Sequence, residues 1–485
     1  MIAHVFLVGL VAAALAGVSR ETQNNLSAGL AKTRQAAVKA AIAESGAEAV
    51  ALVLPLAASD KDSGVRDRAF VELARAEAAG VDAAIAEGLG SRDEEVRRVS
   101  AELLGDRRWA GAGPALLELL KDRDVSVRRS AAWALGQAKV ADASDALAAR
   151  VEQSDDRLEA ALAVESVSRI RGAGALERLE EWAGSEIDAV RAQALRSLSF
   201  YDRAVAARAV ASALSDAVDD VRGGAVVFAA LDTAEKVRRS EPIGALVELL
   251  GHPRGRVVAR ALAVLRTVTA MELPDDAAAW REWWDHHGET FQVPKEAGVS
   301  AGTAGASRSR VRFYGAPIVS DRVAFVIDFS GSMRDPGTDG KPKIDGARAA
   351  LGEALDAMSK NAMFNVISFG DEPRSFKDGL VPVTKRNIRD AKRFVESAGP
   401  RGYTNVFDAL ERALEDPEVD HVILLSDGSP SVGRYEYFSR IRRHVDWLNR
   451  RRAASISCVA LAQGKKARSF LKQLAEETGG TYVER

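Results

Sequence analysis

A single phase mark recurs about every 31 residues through the first part of the chain. The stretches SRDEEVRRVSAELLG, DRDVSVRRSAAWALG, EIDAVRAQALRSL and SDAVDDVRGGAVVFA place an acid, a branched apolar residue and an arginine in the same order. Aligned on that apolar residue, the marks are Val65, Val96, Val127, Leu158, Val190, Val221 and Val257, spaced 31, 31, 31, 32, 31 and 36 apart. A period of this size holds two short helices and two turns. No such unit can bury its apolar face alone, so the units must stack into a helical solenoid.

Within each unit an Asp or Ser ahead of the apolar mark can cap a helix whose first N–H groups lack intrahelical acceptors. Alanines such as Ala131, Ala132 and Ala134 let neighbouring helices approach closely, and the valine and leucine stripe should face the adjacent repeat. The paired arginines, Arg97-Arg98 and Arg128-Arg129, have acids around them (Asp93, Glu94 and Glu95 precede the first pair). They therefore read as solvated or inter-repeat ion-pairing residues, not as a phosphate-binding stripe. Over about residues 26–290 the chain resembles HEAT repeats of the short bacterial type. That resemblance, which extends to the repeats of bilin lyases, implies a scaffold with a binding surface and names no reaction. Near its end, AWREWWDHHGETF brings Trp280, Trp283 and Trp284 to one helical face, a core signal expected to close the solenoid. His286 and His287 lack the i, i+4 spacing of paired ligands and read as surface.

Residues 293–310 lose the period and fill with Gly, Ala and Ser, the composition of a flexible linker. The repeats and the remainder, residues 311–485, are accordingly expected to fold independently. After the linker the pattern alternates between strand-like runs, RVAFVID, MFNVISF, HVILLSD and SISCVAL, and amphipathic stretches near 343–358, 405–415 and 436–452. Strands apolar on both faces and separated by helices imply a doubly wound, mostly parallel α/β sheet covered on each side. VRFYGAPI, just upstream, is expected to add an edge strand.

In such sheets ligands bind outside the carboxyl ends of the strands. Three oxygen-rich loops fall there: Asp328, Ser330 and Ser332 after the first strand, Thr404 at a helix start, and Asp427 after a later strand. Two carboxylates and three hydroxyls are hard donors, the set that suits Mg²⁺ or Mn²⁺ and not zinc. At this point residues 311–485 resemble a von Willebrand factor type A domain with its metal-ion-dependent adhesion site. The resemblance implies that Ser330, Ser332 and Thr404 ligate the metal through their hydroxyls, with Asp328 and Asp427 acting directly or through water. Since hydroxyl ligands are neutral, the ion keeps an appetite for a further carboxylate, which suits capture of an exposed Asp or Glu on a partner protein. The loop RDPGTDGKPK, residues 334–343, is longer than a tight turn and departs from the family's pattern.

Catalysis finds less support. Asp335 and Asp371 are bases by residue type only, and His421 and His444 fall at a strand start and mid-helix, away from Ser330 and Ser332. The loop is no phosphate loop either, since Asp335 stands at the first glycine position and Pro342 at the Ser/Thr position. A net charge of -2 gives no reason to expect nucleic acid or an anionic membrane as partner. The lone Cys458 excludes an internal disulfide and reads as part of a buried strand. The first residues, MIAHVFLVGLVAAALAG, form an uncharged apolar run, and Ala14-Leu15-Ala16 resembles an export cleavage site. Residues 1–16 are thus expected to be a signal peptide or membrane anchor, with a mature start near Gly17 and an extracytoplasmic location. The leading functional reading is a non-enzymatic, metal-dependent adhesion protein. An intracellular scaffold or assembly factor is the alternative, and a lyase-like or hydrolytic enzyme is a third.

Overall fold

An aspartate opens helix after helix in the repeat region. Asp62, Asp93, Asp124 and Asp156 each accept a hydrogen bond from a backbone N–H in the first turn of the helix that follows, at 3.0, 2.8, 2.8 and 2.7 Å respectively. The capping role expected of the residues ahead of the phase marks is met in these four units, because these carboxylates satisfy donors that the helix leaves unpaired, whereas Ile187 and Arg254, the N-caps ahead of Val190 and Val257, make no side-chain capping bond. The computed structural model describes residues 17–219, 224–295, 311–337, 340–450, 452–461 and 464–485. The expected signal or anchor segment, Val221 and residues 296–310 of the expected linker lie outside the described residues. Among the described residues, the elements from Arg20 to His287 are all helices, and a mixed α/β region follows. Two compact units divide inside the repeats, one ending at Glu177 and the other beginning at Arg178. Among the described residues no helix is long and apolar enough to cross a membrane.

In the first unit the helices Glu94–Asp106, Val125–Gln137 and Arg157–Arg171 pack in succession. Val65, Val127 and Leu158 are buried, as their phase requires. Val96 is half-buried. The arginines bridge repeats: Arg97 pairs with Asp122 at 2.7 Å and Arg34 with Asp60 at 2.8 Å, all four side chains under 10% exposed. Arg128 meets Glu159 at 2.9 Å and Arg129 meets Asp156 at 2.5 Å. These residues are spent on stacking, which is why the arginine pairs offer no cationic stripe.

The second unit begins with the last helical repeats. Trp280, on the helix Ala277–His287, is buried with its indole N–H donating to the Pro274 carbonyl, while Trp283 and Trp284 are half-buried. His286 and His287 are exposed, each turned back onto a carbonyl of its own helix. The sheet then forms from β3 (Arg322–Asp328), β4 (Met363–Phe369), β7 (His421–Ser426), β8 (Ser455–Ala460) and β9 (Tyr482–Glu484), all parallel, with β5 (Pro373–Ser375) and β6 (Val381–Pro382) antiparallel on β4. The segment expected to add an edge strand does not join it. Arg312–Phe313 (β1) and Ala316–Pro317 (β2) pair only with each other, because Tyr314 and Gly315, at φ 50° and 87°, close a two-residue turn between them.

Two cores cover the sheet. Val323, Phe325 and Ile327 of β3 pack with Ile344, Leu351 and Leu355 on one face, and Ala324 and Val326 pack with Phe407 and Leu410 on the other. The alternation of β3 sends Asp328 to the same face as Ala324 and Val326. Because β3 lies between β4 and β7, the chain reverses direction of travel across the sheet at β3, which leaves a crevice beyond its carboxyl end. Cys458 is buried within β8, and burial pushes its thiol well above the usual range.

At the opposite end of the sheet, the repeats and the sheet share buried charge. Arg254 lies 3.5 Å from Asp420, which also accepts a hydrogen bond from Ser320. Arg256, on the helix Gly255–Thr269, donates to the Ala453 carbonyl at 2.5 Å and stacks 3.7 Å above the Phe228 ring. Burial pushes this guanidinium down to about 10, with Asp420 opposing the shift. The linker composition gave no hint of this contact, since its residues are scattered singly along the chain.

His421, beside this cluster, is fully buried with Nε2 2.9 Å from Ser457 Oγ. Burial, reinforced by Arg256, pushes its imidazole down to about 3. The folded protein therefore binds fewer protons here than the unfolded chain, whose histidine titrates near 6.5. The stabilisation is complete above that pH and is lost as pH falls toward 3. Wild type should lose about 2 kcal/mol more than His421→Gln between pH 7 and pH 5. Urea unfolding of both proteins at the two pH values checks this, and equal losses would show that the imidazole is not held neutral.

Candidate metal centre

The site grows out of the end of β3. Asp328 is the last residue of that strand and is wholly buried, with Oδ1 accepting the Ser330 N–H at 2.7 Å and Oδ2 accepting the Ser426 hydroxyl at 2.7 Å. Burial, with the charge of Asp427 adding to it, pushes the Asp328 carboxyl up to about 6, against the opposing hydrogen bonds from Ser330 and Ser426. The chain then enters a short turn, Gly331–Arg334, that brings Ser332 back over Ser330: their hydroxyls lie 3.1 Å apart. Ser332 in turn donates to Asp427 Oδ1 at 2.8 Å. The Ser332 hydroxyl thereby ties the turn after β3 to Asp427 in the loop after β7.

Thr404 arrives from a third loop and is 5% exposed. Its N–H donates to Ser431 Oγ and its carbonyl accepts the Ser431 N–H, both at 3.0 Å, while a methyl group built on Gly428 would sit 3.5 Å from its hydroxyl. The loop is fixed from the other side as well. Tyr403 N–H donates to Asp371 Oδ1 at 2.8 Å, and Asn405 caps the helix Val406–Glu415 while its side chain donates to the Asp371 carbonyl at 3.0 Å. Gly370 is needed here because a Cβ would meet the Arg401 carbonyl at 2.8 Å, and Gly402 adopts φ +71°. Asp371, a base by type, is thus a loop fastener, and Asp335 has an exposed side chain.

All five residues singled out from the sequence, Asp328, Ser330, Ser332, Thr404 and Asp427, come to one edge of the sheet. Sequence reasoning missed Ser426, Ser431 and Lys343. Ser426 carried a signal, since it occupies the last position of a buried strand where a hydroxyl needs a partner. Lys343 lay in the long loop without a motif. Its ammonium stands 2.7 Å from Asp427 Oδ2. Neither histidine raised for catalysis approaches the serines: His421 starts β7, and His444 stacks on Tyr435 within the helix Phe438–Asn449.

Among the described residues, no group of three or more His, Cys, Asp or Glu side chains could hold a metal ion. The set at this edge differs in kind, with two carboxylates and three hydroxyls, and fits a hard divalent cation. A fully buried carboxylate whose charge is disfavoured by burial has the character of a ligand awaiting positive charge.

Comparison with known proteins agrees with this architecture. The family described as von Willebrand factor type A domain matches residues 321–484, and the HEAT repeats family matches residues 81–168. The chain contains HEAT repeats at residues 81–168 and a von Willebrand factor type A domain at residues 321–484. This type A domain is similar to part of the inter-alpha-trypsin inhibitor heavy chain H2 of Homo sapiens, with 34% identity over 175 residues, 33% of this chain and 17% of that protein. It is also similar to the heavy chain H3 of Bos taurus, 34% identical over 131 residues, 24% of this chain and 14% of that protein. The chain thus spans less than a fifth of these relatives. Among solved structures, a von Willebrand factor type A protein from Catenulispora acidiphila is similar at 21% identity and TM-score 0.29, covering 35% of this chain and 40% of that one.

Proposed function

We propose that the type A domain holds one Mg²⁺ or Mn²⁺ at the edge of its sheet and uses it to capture an exposed Asp or Glu of a partner protein, without catalysis. Ser330, Ser332 and Thr404 would hold the ion through their hydroxyls, with Asp328 and Asp427 contributing directly or through water. The observation that carries the reading is the unbroken chain of contacts from buried Asp328 through Ser330 and Ser332 to Asp427. Ser332 donates its proton to Asp427, which leaves a lone pair of its oxygen able to face a cation. The bound ion would supply an electrophilic centre with room for one more oxygen ligand. Type A domains are typically protein-interaction modules, and the HEAT repeats offer a second interaction surface. The apolar N-terminal run supports an extracytoplasmic location, periplasmic, secreted or membrane-anchored.

Thr404→Ala removes a neutral ligand at the rim and leaves both carboxylates in place. It should weaken Mg²⁺-dependent binding of an aspartate-bearing peptide at least about tenfold, while unfolding free energy changes by less than about 1 kcal/mol. Calorimetric titration of the full chain, with Mg²⁺ and with chelator, makes the test. Peptide binding that persists undiminished in chelator would overturn the reading.

A further inference from the structure

The long loop after Ser332 has a purpose that its composition conceals. Pro336 and Pro342 bridge across it, and the Lys343 N–H donates to the Asp335 carbonyl at 3.0 Å. The helix Lys343–Ala357 therefore begins at the metal site, with Lys343 as its first residue. The Lys343 side chain is 9% exposed and that of Asp427 is 0% exposed. A lysine at a helix N-terminus opposes the helix dipole, and burying it carries a desolvation cost. Both are tolerated here because Asp427 takes the ammonium on Oδ2 while accepting Ser332 on Oδ1.

The charge count follows. Asp328 and Asp427 bring two negative charges and Lys343 returns one, so the site carries one net negative charge. A divalent cation raises it to one net positive charge, and a partner's carboxylate then brings it to zero. Without Lys343, the cation alone would neutralise the two carboxylates, and a further anion would gain little.

Resting on the metal-site reading, we infer that Lys343 is a positioning residue that sets this charge: it weakens the hold on the free ion and strengthens the loaded site's hold on an acidic partner. The lysine acts through Asp427 and touches neither ion nor partner.

The test uses the full chain, with Mg²⁺ alone as the first probe and a short peptide carrying one aspartate as the second. Lys343→Met should bind Mg²⁺ at least about tenfold more tightly than wild type. In saturating Mg²⁺, it should bind the peptide at least about threefold more weakly. Its melting temperature should fall without metal and rise more on Mg²⁺ addition than that of wild type, because the carboxylates have lost their internal partner. Lys343→Arg, which keeps the charge, should stay within about threefold of wild type for both probes. A lysine needed only for structure would instead weaken Mg²⁺ binding when replaced by Met. Unchanged or weaker Mg²⁺ binding by Lys343→Met overturns the inference and leaves the metal site standing. A wild-type protein that binds no Mg²⁺ overturns both.

Discussion

Asp328→Asn should lower affinity for Mg²⁺ and Mn²⁺ by at least about 100-fold while the protein stays folded. The amide keeps the shape of the carboxylate and an acceptor for the Ser330 N–H, but it removes the charge from the centre of the site. In the metal-free protein that charge is a burden. Burial pushes the Asp328 carboxyl up to about 6, so holding it ionised at neutral pH costs on the order of 3 kcal/mol. The variant should therefore be as stable as metal-free wild type or more so, and it should gain nothing from added Mg²⁺. Thermal melts with and without Mg²⁺, beside calorimetric titration, separate these effects. A variant that binds metal like wild type would remove Asp328 from the site, and one that fails to fold would assign it to structure.

The second large effect lies at the other end of the sheet. Asp420→Ala removes the acid that Arg254 pairs with and one of the two acids, with Asp232, that support the charge of Arg256, which burial already disfavours. Removing one partner of a buried ion pair costs about 3–5 kcal/mol, more than the pair itself contributes. The loss should be felt on both sides of the contact. Hydrogen exchange should show faster opening both in the helix Gly255–Thr269 and in β7, in place of an effect confined to one of them. Unaltered exchange in the helix would mean that repeats and sheet are stable independently, as the Gly, Ala and Ser composition before residue 311 suggests.

How much of this was legible in the sequence depended on whether the signal was periodic. The repeats announce themselves because Asp62, Asp93, Asp124 and Asp156 solve the same capping problem at nearly constant spacing. The parallel sheet was readable because strands buried on both faces must be continuously apolar, as β3 and β7 are. The five oxygen-bearing residues followed from the rule that loops meet at the carboxyl ends of strands. The burial of four of them, Asp328, Ser330, Thr404 and Asp427, did not follow. They read as exposed loop residues, whereas Asp328 is still in register within the sheet and is covered by the loops around it. Lys343, Asp420 and Arg256 were illegible for a shared reason. Each takes its meaning from partners far along the chain, and isolated long-range contacts leave no pattern in either segment.

The central claim is that the site takes an anionic oxygen from outside onto a metal held by Asp328 and its neighbours. Water-proton relaxation of the Mn²⁺-loaded full chain reports it directly, because relaxation falls when a coordinated water is replaced. Titration with an aspartate-bearing peptide should lower the relaxation enhancement in a saturable way. The asparagine version of the peptide should leave it unchanged, and Asp328→Asn should show no protein-bound Mn²⁺ at all. An enhancement that does not change with the aspartate peptide, or that changes equally with the asparagine one, would contradict the account.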